Sequence, residues 1–155
     1  MPTPLNYPDR WIRAILNRVR TIAVVGISAN TDRPSYGVSK FLIDKGYRVI
    51  PVNPGLAGQT LLGETVYARL ADIPEPFDMV DIFRNSEAAG GIADEAIILA
   101  AKKGISVIWM QLGVRNDDAA MRAEAAGMTV IMDRCPIIEF RKMAGSYDRI
   151  WCLNI

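Results

Sequence analysis

Apolar residues along this chain fall into two alternating kinds of run. Five short blocks are dominated by Val, Ile and other apolar residues: Thr21–Gly26, Tyr47–Val52, Met79–Phe83, Ile105–Gln111 and Met128–Met132. Between them, longer segments repeat apolar residues every three or four positions, the spacing of a helix with one buried face. Asp9–Arg20 has this pattern at Trp11, Ile12, Ile15, Leu16 and Val19, with Asp9 as the expected N-cap. A second helix is expected over 35–45, starting near Pro34, with Val38, Phe41 and Leu42 inward and Gly46 closing it. A third spans Ser86–Lys103 before Gly104, a fourth Asp117–Ala126 before Gly127, and a short fifth begins near Pro136. The glycine-rich stretch 54–74 interrupts this alternation, with Leu61-Leu62 and Val66-Tyr67 as short packed pieces.

Strands that are apolar on both faces and separated by helices are those of a parallel sheet with helices on either side. The expected fold is a single α/β domain, Rossmann-like and doubly wound, around a mostly parallel five-stranded sheet. Residues 1–20 form a helical extension packed on the domain of residues 21–155. Right-handed crossovers place every strand C-terminus on one edge. Gly26, Asn53, Arg84, Gln111 and the pair Arg134-Cys135 all follow strand ends. Open α/β sheets bind ligands along that edge.

The first corner of the edge carries the most chemistry. Its sequence, TIAVVGISANTDRPSYG over 21–37, reads as a strand, a small-residue turn and a helix start. A helix N-terminus offers unpaired N–H groups and partial positive charge to an anion. Ser28 and Ser35 bracket the turn, and either donate to a phosphate or cap turn and helix. Arg33 either reaches the anion as a permanent cation or stays solvated. The corner is not a dinucleotide fingerprint: Ile27-Ser28-Ala29 follows Gly26 without a second glycine, and the second strand ends in Val52-Asn53 rather than an acid. A G-x-x-x-x-G-K-[ST] loop is also missing. Asn53-Pro54-Gly55 is either a plain turn or a neutral border that tolerates a phosphorylated ribose. Arg84 either meets ligand or pairs with Asp81 or Glu87. Cys135 stands beside Arg134 and ahead of a helix start, a setting that lowers a thiol pKa; the other outcome is a small packed thiol. Trp109 and the methionines read as core or pocket lining.

Composition narrows the chemistry further. The 155 residues are 50% hydrophobic and 23% charged, with a net charge of +1. That balance gives no basic surplus for nucleic acid and no polybasic run for a membrane surface. No apolar run approaches the roughly 20 residues of a membrane span, and the start MPTPLNYPDRW is unlike a signal peptide. Two cysteines, Cys135 and Cys152, suit a reducing cytoplasm. The chain has no histidine, which removes histidine bases, ligands and phosphate acceptors.

The segments VVGIS, PSYG, GYRVIPVNPG, DIFR and DRCP, in this order, resemble the small bacterial CoA-binding domain proteins, and are similar to the CoA-binding domain of the succinyl-CoA synthetase α subunit. The run PGLAGQTLLGETVYARLADIP resembles that subunit's P-G-x-x-G-x-x-x-L-G-x-x-V signature, at Pro54, Gly55, Gly58, Leu62, Gly63 and Val66. The resemblance implies coenzyme A or an acyl-CoA lying across the strand C-termini. It puts Gly26, Ile27, Ser28, Ala29, Arg33, Pro34 and Ser35 at the phosphates, and Val52, Asn53 and Pro54 at the adenosine end. Phe83 and Arg84 would run alongside the cofactor, with Gln111 and Cys135 nearer the pantetheine arm.

The chain also departs from that subunit. It has neither the phosphorylated histidine nor the second domain, and ISANTDRPSYG replaces the glycine-rich phosphate turn, so the ligase activity is not implied. Two classes of function follow. One is a stand-alone CoA or acyl-CoA binder acting as carrier, sensor or partner subunit, with any protein partner or self-association left open. The other is a nicotinamide-dependent oxidoreductase, or a redox protein in which Cys135 forms a mixed disulfide with CoA.

Overall fold

The computed structural model describes residues 4–143. Helix α1 (Asp9–Arg18) buries Ile12, Ile15 and Leu16 and is capped by Pro8; Asp9 is in its first turn and is not the cap. The helix also ends before Arg20, because Val19 turns into extended backbone. The Arg20 and Thr21 amides both donate to Asp78 Oδ2 at 2.8 Å. Asp78 precedes the third long strand, so one carboxylate pins the starts of two neighbouring strands.

The main sheet comprises β1 (Thr21–Val25), β2 (Arg48–Val52), β5 (Met79–Ile82), β6 (Val107–Met110) and β7 (Thr129–Ile131). Its order is β2-β1-β5-β6-β7, with every pairing parallel. Between β2 and β5, the two-residue strands β3 (Thr60–Leu61) and β4 (Glu64–Thr65) make a small antiparallel hairpin. Beyond it, Tyr67 bridges back to Val52. The packed pieces expected in this stretch are this hairpin and bridge.

Alternate strand residues serve two cores. Ala23, Val25, Ile50, Ile82 and Met110 meet α3 (Ser86–Lys103) and α4 (Asp117–Ala125) through the small residues Ala89, Ala93, Ala119 and Ala123. Ile22, Val24, Val49 and Trp109 meet α1, α2 (Pro34–Asp44) and α5 (Pro136–Met143). Alanines on one side let helices approach the sheet closely, and larger side chains fill the other. Among the described residues no helix is long and apolar enough to cross a membrane.

The order of strands creates the working edge. From β1 the chain crosses outward to β2, then returns to β5 on the opposite flank of β1. At such a reversal the connecting segments diverge and open a crevice beyond the C-termini of β1 and β5. The starts of α3 and α4 are tied on the same edge. Asn85 caps α3 through Ala88 N at 2.8 Å; Asn116 caps α4 and donates to the Ser86 carbonyl at 3.0 Å.

Candidate functional site

Gly26 ends β1 at φ +88°, and its amide donates to the Val52 carbonyl at 2.9 Å. A Cβ here would meet the Phe83 carbonyl oxygen at 3.0 Å and Arg84 Cδ at 2.9 Å. Glycine therefore lets β1 turn sharply while the segment after β5 lies against its backbone. Ile27, wholly buried, anchors the turn in the core. The turn then folds on short side-chain bonds: Ser28 N to Ser35 Oγ at 2.9 Å, Asn30 N to Ser28 Oγ at 3.0 Å and Asp32 N to Asn30 Oδ1 at 2.9 Å.

Helix α2 starts with Pro34 behind the extended residue Arg33, and no side chain caps it. Ser35 is buried at the cavity floor. The bond from Ser28 uses its oxygen as acceptor, which leaves the hydroxyl proton to donate. Ser39, also buried, ties the helix by donating to the Ser35 carbonyl at 2.7 Å.

Two cavities meet at this turn. The smaller, about 290 Å³, runs from Gly26, Ser28, Arg33, Pro34 and Ser35 to Phe83, Gln111, Leu112 and Val114. The larger, about 450 Å³, lies toward β2 and is lined by Ile27, Ala29, Asn30, Asn53, Gly55 and Leu56. Gly26, Ser28 and Arg33 line both. The crevice is thus bent, with a donor-rich corner at its middle and an arm on each side.

Asn53 explains why an acid is missing after β2. Its Nδ2 donates to the Ile27 carbonyl at 2.7 Å and its Oδ1 accepts from Gly55 N at 2.8 Å. A carboxylate cannot donate the first bond, so the amide holds the turn after β1 and the turn after β2 together. Gln111 differs. It is 6% exposed, its backbone amide donates to the Ile82 carbonyl at 3.1 Å, and its Oε1 has no hydrogen-bond partner. A buried acceptor beside a cavity costs free energy until a donor reaches it.

Four sequence candidates lie outside the lining of both cavities. Val52 is buried core and offers its carbonyl to Gly26; Pro54 is exposed at the start of a single 3-10 turn. Arg84 is exposed and lays its methylenes beside Gly26. It does not pair with Asp81, a wholly buried carboxyl whose two oxygens have no hydrogen-bond partner. Cys135 is half-buried and packs on the core beneath α1, α2 and α5. Cys135 lines neither of these two cavities, and the other cysteine, Cys152, lies outside the described residues. Among the described residues, no group of three His, Cys, Asp or Glu side chains is placed to hold a metal ion.

Sequence reasoning missed Leu56, Leu112 and Val114, and it had Asn30 and Gly55 only as members of the two turns. Leu112 and Val114 follow Gln111 in a tight turn closed by Val114 N to the Gln111 carbonyl at 2.8 Å. Gly113, at φ +85°, was the available signal for that turn.

A sequence model described as the CoA binding domain matches residues 20–141. The Bacillus subtilis protein YneT is 42% identical over 124 residues, covering 80% of this chain and 87% of YneT. A solved structure of a hypothetical protein from Pyrococcus horikoshii is 34% identical and covers 94% of this chain and 99% of its own, with a TM-score of 0.82. The dinucleotide-forming acetyl-coenzyme A synthetase 1 of Candidatus Korarchaeum cryptofilum shares the fold at 22% identity and TM-score 0.62; the likeness covers 79% of this chain and 28% of that enzyme. With a family model spanning most of its length and a crevice at the switch point of its sheet, this chain belongs to the CoA-binding domain family.

Proposed function

We propose that the protein binds coenzyme A or an acyl-CoA along the bent crevice and acts as a carrier, sensor or partner subunit without ligase chemistry of its own. The observation that carries this reading is the junction of two cavities at Gly26, Ser28 and Arg33. A ligand with anionic groups in its middle and an arm at each end fits that shape. Phosphates would take the Ser28 and Ser35 hydroxyls, the α2 N-terminus and Arg33. The adenosine end would occupy the larger cavity beside Asn53 and Leu56. The pantetheine arm would follow Phe83 to Gln111, whose unpartnered Oε1 suits an amide N–H. A chain without histidine has no group to carry a phosphoryl through a histidine intermediate.

Calorimetric titration with CoA, acetyl-CoA, NAD and NADP tests the reading. Binding is expected for the first two. Tight NAD binding with no measurable CoA binding would overturn it in favour of a nicotinamide-dependent enzyme.

Arg33 gives a second expectation. A charge-assisted bond to phosphate contributes roughly 1.5–3 kcal/mol, so Arg33→Ala should weaken CoA binding about tenfold or more. Salt screens such bonds, and the difference from wild type should shrink as ionic strength rises. An unchanged dissociation constant at low salt would return Arg33 to the solvated surface.

A further inference from the structure

The far wall of the smaller cavity is one turn, Gln111–Val114, and it is held from outside the cavity. Asp133, just past β7, grips it twice: its Oδ1 accepts from Gly113 N at 2.7 Å, and its own amide donates to the Val114 carbonyl at 3.1 Å. To make both bonds Asp133 adopts φ +57°, a left-handed conformation that few residues other than glycine take up. Aspartate and asparagine tolerate it best, and both have a side-chain oxygen of the right length. Asp133 itself lines neither cavity.

What it holds is chemically specific. The turn carries Gln111, buried with an orphaned Oε1, and then Leu112 and Val114 on the cavity surface. Leu112 is 57% exposed at the mouth whereas Val114 packs in the core, so Asp133 holds the stretch between a buried anchor and an exposed tip. A left-handed residue whose two bonds both end on a ligand wall is local strain retained beside a site.

We propose that Asp133 is a positioning residue for ligand binding. It fixes the Gln111–Val114 turn so that the side-chain Oε1 of Gln111 faces an amide N–H of the ligand arm. The inference rests on the CoA reading above and adds to it which residue outside the cavity sets the arm's affinity. Asp133 should therefore affect only ligands that possess the arm.

Adenosine 3′,5′-bisphosphate provides the contrast, since it keeps the nucleotide end of CoA and lacks pantetheine. Both ligands are titrated into wild type, Asp133→Ala and Asp133→Asn, with thermal denaturation of each protein alongside. Asp133→Ala should weaken CoA about five- to tenfold and leave the bisphosphate within twofold. Asp133→Asn keeps the acceptor and tolerates the backbone, so it should restore CoA affinity. A purely structural role would weaken both ligands together and give no such split. Equal losses for both ligands, no loss for CoA, or an Asn variant as weak as the Ala variant would each overturn the inference while leaving CoA binding standing. Wild-type protein that binds neither ligand would remove the CoA reading itself, and this inference with it.

Discussion

Replacing Gly26 by alanine is expected to abolish CoA binding and to lower stability by on the order of 2–5 kcal/mol. Two costs add. A residue with a Cβ at φ +88° is strained by roughly 1–2 kcal/mol. The new methyl group also meets the Phe83 carbonyl oxygen at 3.0 Å, which is backbone and cannot swing aside as Arg84 Cδ can. Forcing such a shift in a packed region costs roughly 1–3 kcal/mol more. Function should suffer beyond stability, because Gly26 lines both arms of the crevice and Phe83 lines one. Urea denaturation and CoA titration of Gly26→Ala check the two parts separately. A variant with wild-type stability and affinity would show that the β1 turn does not need its left-handed conformation.

The five strands were legible because each is a run of residues that suit a sheet buried on both faces. Their ends were less so. Ile105 reads as strand by composition, yet its amide bonds to the Ala100 carbonyl at 3.1 Å alongside Gly104 at 2.8 Å. It belongs to the close of α3, and the ladder begins at Val107. Likewise Asp9 has the chemistry of an N-cap, but it is the first helical residue and the cap position falls one residue earlier, on Pro8. Local chemistry names a boundary region, and competing bonds decide the residue.

The site divides in the same way. The rule that strand C-termini line the ligand edge pointed to Gly26, Asn53 and Gln111, which line the crevice, and to Arg84, which lines neither cavity; Phe83 came only from the family resemblance. Cys135 was read by the same rule, but the left-handed Asp133 intervenes after β7 and the chain turns toward the α5 face. Leu56 and Val114 reach the crevice through turns whose path depends on single hydrogen bonds, which periodicity does not encode. Asn53 was legible as a missing acid. Its reason, a donated bond to the Ile27 carbonyl, depends on a contact between two turns 26 residues apart.

Among the described residues, Asp81 gives the largest expected effect of pH on stability near neutrality. It sits in β5 between Val24 of β1 and Trp109 of β6, wholly buried, with neither oxygen hydrogen-bonded. Both register neighbours belong to the core formed with α1, α2 and α5, where Ile12, Leu16, Val38, Leu42, Phe140 and Met143 supply no compensating charge. Burial alone raises the carboxyl from its usual 3.8 to about 8. The native state therefore keeps a proton that the unfolded chain releases near pH 4. Between those values the folded form binds more protons, so stability falls as pH rises, by up to about 1.4 kcal/mol per pH unit. The contribution is fully present below about pH 4 and lost by about pH 8. Asp81→Asn is near-isosteric and cannot ionise. Its stability relative to wild type should climb across that window, reaching a gain on the order of 4 kcal/mol by pH 7. Urea denaturation of both proteins at pH 5, 6, 7 and 8 measures the difference directly. Parallel profiles would mean that Asp81 is already ionised in the native state across this range, as it is in the unfolded chain, and that a proton is not what keeps this carboxyl in the core.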